Sequence, residues 1–274
     1  MTIRAALLQG KKMLEDACIA APRLTAEVLL AHAIRCDRTW LFAHSGDELR
    51  EVWWIHYGRY LHERLNGKPT QYITGRQEFY GREFRVTPDV LIPRPETEHL
   101  IEAALECARD AGTIVDIGTG SGAIAVTLAL ELRARVFATD ISERAVRVAE
   151  GNARRLGAAV RFVLCDLGSA VASGRFDLVV SNPPYVPEAG EESIQREVRA
   201  HEPRLALFGG ADGLGVYRRL IPEAGRLLKP GGRLIIEIGW SAAEEVKAML
   251  AGWEGVETRP DLAGIPRVML AKKP

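Results

Sequence analysis

Asn182-Pro183-Pro184-Tyr185 directly follows the apolar run 176–181, and its residue types suit one kind of chemistry. Two prolines fix φ and donate no N–H, so they hold the Asn side chain and the neighbouring carbonyls in place. An Asn carbonyl and a backbone carbonyl can together accept both hydrogens of a planar –NH2 group, and Tyr185 can stack on a flat π-system. The nitrogen of an amide or exocyclic amine is a poor nucleophile, because its lone pair is delocalised. Two acceptors on its hydrogens draw electron density onto it as it attacks an electrophilic methyl group, and stabilise the charge that develops there. Holding that nitrogen in line with the methyl group supplies much of the remaining rate. The competing reading is a proline-rich turn that merely ends a strand. The place of the tetrapeptide after the fourth strand of an alternating pattern favours the chemical one.

A second cluster lies upstream. Asp116-Ile117-Gly118-Thr119-Gly120-Ser121-Gly122 follows an apolar strand candidate and opens a helical stretch. Glycines there allow φ > 0 and close approach of the backbone to a ligand, and the helix start offers unpaired N–H groups. The spacing is G-x-G-x-G; a dinucleotide site uses G-x-G-x-x-G, so the tighter form suits a ligand without pyrophosphate. Asp140, 24 residues after Asp116, ends the second strand candidate. Its carboxylate can accept both hydroxyls of a ribose or cap the helix that follows. NAD and S-adenosylmethionine would both use such an acid, so the pair does not choose between them.

These residues need a scaffold. Apolar strand candidates at 113–117, 135–139, 160–164, 176–181 and 233–238 alternate with helical stretches at 123–132, 143–156, 216–228 and 242–250. That alternation predicts parallel βαβ units in a doubly wound sheet, which a terminal pair near 255–259 and 266–271 could finish. Residues 1–75 read as helical. Thr2 caps a first helix, Pro22 opens a second, and a third covers 47–65 and stops at Asn66-Gly67. Trp53, Trp54, Tyr57 and Tyr60 supply it with a small aromatic core. Residues 76–95 read as a bridge, with a hairpin around Gly81 and then Pro88, Pro93 and Pro95.

The 274 residues carry 36 basic and 36 acidic side chains, a zero balance that disfavours a dedicated nucleic-acid binder. Hydrophobic residues are 47% and charged residues 26%, which excludes disorder and repeats of the collagen type. No apolar run is long enough to span a bilayer, and the first ten residues lack the pattern of a signal peptide. The four cysteines, Cys18, Cys36, Cys107 and Cys165, form neither a disulfide framework nor a zinc site, and point to the cytosol. The six histidines make no HExxH or other metal-ligand spacing.

The sequence resembles the HemK/PrmC family of protein-(glutamine) methyltransferases acting on peptide chain release factors. The resemblance covers nearly the whole chain. Besides the glycine loop, Asp140 and the tetrapeptide, it rests on Gly67-Lys68-Pro69-Thr70-Gln71-Tyr72-Ile73-Thr74-Gly75 and Leu91-Ile92-Pro93-Arg94-Pro95-Glu96-Thr97-Glu98. His201-Glu202-Pro203, Ala206-Leu207 and Gly209-Gly210-Ala211-Asp212-Gly213-Leu214 also fit. It implies an α/β fold: a Rossmann-like class I methyltransferase domain over 96–274 with a seven-stranded, mostly parallel sheet, a small helical substrate-docking domain over 1–75, and a β-hairpin linker over 76–95. It implies S-adenosylmethionine, leaving as S-adenosylhomocysteine, held by Gly118, Thr119, Gly120, Ser121, Gly122, Asp140 and Asn182, with no metal. Leu167 follows Asp166 where the family often has an aromatic residue, and implies apolar contact with the cofactor. The glutamine of a Gly-Gly-Gln loop would enter at Asn182, Pro183, Pro184 and Tyr185. Arg94, Glu96 and Glu202 are either part of a salt-bridged loop in the bridge or a wall near the methionine end of the cofactor or the substrate loop. The expected protein is a cytoplasmic monomer that binds release factors, without a membrane anchor or direct nucleic-acid contact.

Three rivals compete. An amino-group DNA methyltransferase poses the same chemical problem to the same tetrapeptide. Between Glu188 and Glu202, however, five acids (Glu188, Glu191, Glu192, Glu197, Glu202) outnumber Arg196 and Arg199, a local charge of −3 that would repel phosphates. A glutamine methyltransferase of a ribosomal protein shares all of the chemistry. A catalytically idle cofactor-binding module conflicts with the intact Asn182 and its prolines. His201 stands where a Tyr commonly precedes Glu-Pro, and reads as solvated or structural.

Overall fold

The computed structural model describes residues 1–108 and 112–274. The described chain divides into two compact units: 1–75 with 196–201, and 76–195 with 202–274.

The first unit is helical: α1 (Ile3–Asp16), α2 (Pro22–Ile34), α3 (Arg38–Ala43), α4 (Glu51–Leu65) and α5 (Thr70–Thr74), with a later helix from 196–201. Thr2 caps α1 by accepting from the Ala5 amide at 3.2 Å, and Pro22 opens α2. The helix expected over 47–65 starts only at Glu51, because Asp37 caps a separate α3 and Glu48 instead bridges to Thr2. Tyr57 is fully buried among Ile3, Leu14, Leu29, Leu30 and Leu61, while Trp53, Trp54 and Tyr60 pack at the edge of this core. Each such buried aliphatic side chain contributes about 1.5–3 kcal/mol.

The second unit begins with a hairpin, β1 (Arg76–Phe79) and β2 (Arg82–Arg85). Its turn places Tyr80 at φ 49° and Gly81 at φ 68°, the left-handed pair that matches the twist of two tightly joined strands. Phe79 and Phe84 meet edge to face at 6.1 Å and sink into the same core as Leu100 and Ile101. The hairpin is therefore part of the sheet unit, where the sequence suggested a bridge.

A 3₁₀ turn (Pro95–Thr97) leads into α6 (Glu98–Cys107), a helix that the sequence reading did not place. The alternation then runs β3 (Thr113–Ile117), α7 (Ala123–Glu131), β4 (Arg135–Asp140), α8 (Glu143–Leu156), β5 (Val160–Leu164) and β6 (Phe176–Ser181). After a 3₁₀ turn (Glu188–Ser193) come α9 (Arg196–His201), α10 (Arg204–Leu207), α11 (Gly215–Leu227), β7 (Leu228–Glu237), α12 (Ala243–Met249), β8 (Glu254–Pro260) and β9 (Pro266–Lys272). The strands form one seven-stranded sheet in the order β5-β4-β3-β6-β7-β9-β8, with β3 to β7 parallel and β9 antiparallel to both of its neighbours.

Alternate residues of the central strands feed two cores. Ile114, Leu178 and Val180 meet α6, α7 and α8 on one face; Val115, Val179 and Ile117 meet α11 and α12 on the other. From β3 the chain steps out to β4 and β5, then returns to place β6 on the other side of β3. Loops leaving β3 and β6 thus diverge, and the crevice between them is where an open parallel sheet binds its ligand. The glycine loop leaves β3 there and Asn182 leaves β6. Among the described residues, no helix is long and apolar enough to cross a membrane.

Candidate active site

The glycine loop bridges Ile117 and the start of α7. Gly118 and Gly120 take φ of 75° and 55°, and a Cβ on either would meet no protein atom within 4 Å. Their backbone is bare toward the cleft that both line. Gly122 differs. A Cβ there would lie 3.0 Å from Ala149 Cβ, so this glycine lets α7 start tight against α8. Thr119 and Ser121 also serve the interior: the Thr119 hydroxyl donates to Asp116 at 2.6 Å, and the Ser121 carbonyl accepts from Asn152 at 2.9 Å. Of the five loop residues expected to touch a cofactor, Gly118 and Gly120 line the cleft, and the other three shape the wall behind it.

Asp140 also lines the cleft. Its Oδ2 accepts from the Gly120 amide and its Oδ1 from the Ser142 amide, each at 2.9 Å. The cap of α8 is Ser142, whose Oγ accepts from the Ala145 amide at 3.3 Å, so the capping alternative for Asp140 falls away. Each carboxylate oxygen keeps acceptor capacity for a diol. Burial raises the Asp140 pKa, against the pull of the amides of Ser142, Gly120 and Ile141. Deeper still, Asp116 is pushed up to about 7 by burial; the Thr119 hydroxyl and the Ala125 amide oppose this, and the Asp140 charge adds to it.

The cleft holds about 220 Å³. One water needs only ~10–15 Å³ by the same measure, so this space fits an organic molecule. Val90, Ile117, Ile141, Leu167 and Phe208 give it apolar walls. Leu167 sits at φ 50°, an unusual conformation for a branched side chain.

On the other side of the crevice, Ser181 Oγ donates to the Ile117 carbonyl at 2.7 Å, tying the end of β6 to the root of the glycine loop. Asn182 and Pro184 line the cleft, while Pro183 is buried. Asn182 Nδ2 donates to Thr97 Oγ1 at 3.1 Å, and the Thr97 hydroxyl donates to Glu237 Oε2 at 2.6 Å. Tyr185 turns away from the cleft. Its ring packs against the second core and lies over Gly239, and its hydroxyl stands 3.4 Å from Glu237 Oε1. The structure thus uses Tyr185 as an anchor of the turn, where the sequence suggested a stacking surface. The glycine-rich stretch after α10 buttresses the same turn. Gly209 N donates to the Val186 carbonyl, and a Cβ on Gly213 (φ 76°) would fall 2.5 Å from the Tyr185 carbonyl.

Arg94 and Glu96 do not line the cleft. Arg94 bonds the buried Glu202 at 2.5 Å, and Glu202 also accepts from the Ile92 amide at 3.2 Å. For Arg94 this is a salt bridge, as the first of the two expectations had it. Glu96 is exposed. Pairing also drains the acidic stretch of its charge: Glu191 bonds Arg204, Glu197 bonds Arg64, and Glu202 bonds Arg94. The count of −3 therefore overstates the field near the site. His201 lies beside Gly67 in the helical unit.

Sequence reasoning missed Thr97 and Glu237 as site residues, while Glu202 was weighed beside Arg94 and Glu96. Glu237 had a signal: a lone carboxylate in the run Leu234-Ile235-Ile236-Glu237-Ile238 must be buried and therefore partnered. Among the described residues, no cluster of His, Cys, Asp or Glu is placed to hold a metal ion.

A bare glycine turn and a ribose-ready acid on one side of the switch point, facing a clamped Asn-Pro-Pro corner on the other, define a class I methyltransferase. Solved structures share the fold. A methyltransferase from Pyrococcus furiosus superposes with a TM-score of 0.56 at 21% identity, covering 71% of this chain and 90% of that one. A Thermus thermophilus 16S rRNA methyltransferase in complex with AdoMet and guanosine gives 0.54 at 18% identity, covering 73% and 50%. Residues 5–75 match the PrmC N-terminal domain family, and residues 96–205 the methyltransferase small domain family. The release factor glutamine methyltransferase of Koribacter versatilis is 49% identical over 100% of this chain and 99% of its own length. That of Moorella thermoacetica is 44% identical over 99% and 98%. The chain belongs to the release factor glutamine methyltransferase family.

Proposed function

We propose that this enzyme transfers a methyl group from S-adenosylmethionine to the side-chain amide nitrogen of the glutamine in the Gly-Gly-Gln motif of peptide chain release factors. The observation that carries the reading is the pairing of the open Gly118–Gly120 and Asp140 cleft with an Asn182 amide held from behind by Thr97. The cofactor residues fit. Two glycine positions face open space, an acid keeps acceptor capacity on both oxygens, and the cleft has apolar walls.

When bound, S-adenosylmethionine supplies a methyl group on a positively charged sulfur; transfer forms an N–C bond, returns the S–C electron pair to sulfur and releases one amide proton to water. Gly118 and Gly120 admit the cofactor close to the backbone, Asp140 accepts its ribose hydroxyls, and Leu167 contacts its base. Asn182 Oδ1 and the Pro183 carbonyl accept the two hydrogens of the substrate amide. They raise its electron density where charge develops, in a site shaped before the substrate arrives. Pro183, Pro184 and Tyr185 keep that corner rigid, and Arg94 keeps Glu202 and the Ile92 loop in place. Arg94 thus acts through Glu202, and Glu96 stands exposed beside Arg94 in sequence.

The helical unit docks the release factor. It exposes Leu8, Leu24 and Phe42, with Arg4, Lys11 and Arg23 around the groove that Leu8 and Phe42 line. The enzyme works in the cytoplasm as a monomer, without a metal. Mass spectrometry of a release factor incubated with the enzyme and isotopically labelled S-adenosylmethionine tests the reading. One labelled methyl on the glutamine of the Gly-Gly-Gln motif is the expected result; an unmodified glutamine, or label elsewhere, overturns it.

A further inference from the structure

The relay behind Asn182 is built from three elements that are far apart in sequence. Thr97 comes from the turn before α6, Glu237 from the end of β7 and Tyr185 from the corner after β6. Thr97 and Glu237 are buried, at 4% and 1% exposure. A carboxylate with no proton can only accept. The single proton of the Thr97 hydroxyl is given to Glu237 Oε2, so Thr97 Oγ1 has only acceptor capacity left for its other neighbour. That neighbour must then present its –NH2 end. The Asn182 amide is thereby turned one way round, with Oδ1 away from Thr97 and without a protein donor among the described residues.

We propose that Thr97 and Glu237 are positioning residues for methyl transfer, acting in series to set which end of the Asn182 amide meets the substrate. The inference deepens the functional reading given above and rests on it. With the amide reversed, Asn182 would offer N–H groups to a nitrogen that needs acceptors, and the corner would repel the group it serves.

The relay has a built-in proton dependence. Burial pushes Glu237 up to about 7, against the Thr97 hydroxyl, the Arg267 charge and the Tyr185 hydroxyl; the Glu96 charge pushes it further up. Arg267 is itself paired with Asp261 at 3.0 Å, and the Tyr217 hydroxyl donates to the Glu237 carbonyl at 3.0 Å. Once protonated, Glu237 can donate to Thr97. The Thr97 proton is then free to turn toward Asn182, and the amide loses its fixed sense. Activity falls with acid for that reason, although neither Asn182 nor a glutamine amide titrates in this range.

The test is steady-state methylation of a release factor from pH 5.5 to 8.5 by the wild-type enzyme, Thr97→Val, Thr97→Ser and Glu237→Gln, with cofactor affinity measured by calorimetry. Thr97→Val lowers kcat by about 10–100-fold, as expected for a mispositioned reacting group. It leaves KM and cofactor affinity within about twofold of wild type by the same argument, and removes the acid limb from the profile of what activity remains. Thr97→Ser restores both rate and limb. A Thr97→Val enzyme with wild-type kcat and an unchanged acid limb overturns the proposal, as does a Thr97→Ser enzyme as impaired as Thr97→Val. If Thr97→Val fails to fold, Glu237→Gln decides: a flattened acid limb with retained cofactor affinity supports the relay, and an unaltered limb overturns it. A wild type that leaves the glutamine unmodified sinks the functional reading and the relay with it. Wild-type turnover beside an undiminished Thr97→Val sinks the relay alone.

Discussion

The two loops that meet at the switch point reach order by opposite routes. The glycine loop after β3 is shaped by backbone conformation. Gly118, Gly120 and Gly122 all take positive φ, and two of them face open space. The corner after β6 is shaped by neighbours: two prolines, the Gly209–Gly213 buttress against Val186 and Tyr185, and the chain from Asn182 through Thr97 to Glu237. A surface that binds a ligand needs exposed backbone and room. A corner that must hold one amide in one sense needs a supporting layer, and that layer has to come from other parts of the chain.

Substitutions can break this contrast. The largest effect is expected at the reacting corner itself. Asn182→Ala should lower kcat by about 10²–10³-fold, the usual cost of losing one preorganised polar partner, with cofactor affinity nearly unchanged by calorimetry. A near-wild-type rate would remove Asn182 from the chemistry. Asp140→Ala should do the converse. It weakens cofactor binding roughly ten- to a hundredfold, from the loss of charged hydrogen bonds, and leaves kcat at saturating cofactor within a small factor. Should kcat collapse while affinity holds, the division of labour between the loops is wrong.

Asp116 sharpens the comparison from beneath the glycine loop. Its pKa lies at about 7 in the fold, against an ordinary 3.8. A raised carboxyl contributes stability that is fully present below the ordinary value and is lost as pH rises through the folded one. At about 1.4 kcal/mol per pH unit, the loss between pH 4 and 7 is on the order of 4 kcal/mol. Asp116→Asn should flatten that decline in urea titrations across this window; an unchanged slope would show that Asp116 keeps its ordinary value in the fold. The smallest effect is expected at an exposed side chain of the first unit. Phe42→Asp in the helical unit should raise KM for an intact release factor by about fivefold to tenfold, the cost of a modest interface contact. A short Gly-Gly-Gln peptide should be turned over as before. An equal effect on both substrates would argue against docking by that unit.

Much of the sheet could be read from local pattern. The strands β3 to β6 and the helices α7, α8 and α11 fall within a residue or so of their expected bounds, because alternating apolar runs and 3.6-residue periodicity are local signals. The hairpin was legible, but its attachment was not. Phe79 and Phe84 announce a buried face without saying whose core receives it, and α6 went unseen beneath the proline-rich stretch. The charge count was incomplete for a related reason: a net count over 188–202 ignores the arginines at 64, 94 and 204 that the fold brings to those acids.

The chemistry follows the same divide. Glycine spacing, the acid 24 residues on and the Asn-Pro-Pro corner are contiguous strings whose conformational preferences are their own, so residue order alone marks where a cofactor and an amide nitrogen would meet. Which way the Asn182 amide faces, why Tyr185 is an anchor, and why Arg94 is a strut depend on Thr97, Glu237 and Glu202. These stand 85, 52 and 108 positions from the residues they hold. A hydrogen bond is a condition on distance and direction in space, and only the folded sheet brings such remote partners within 3 Å or so of one another.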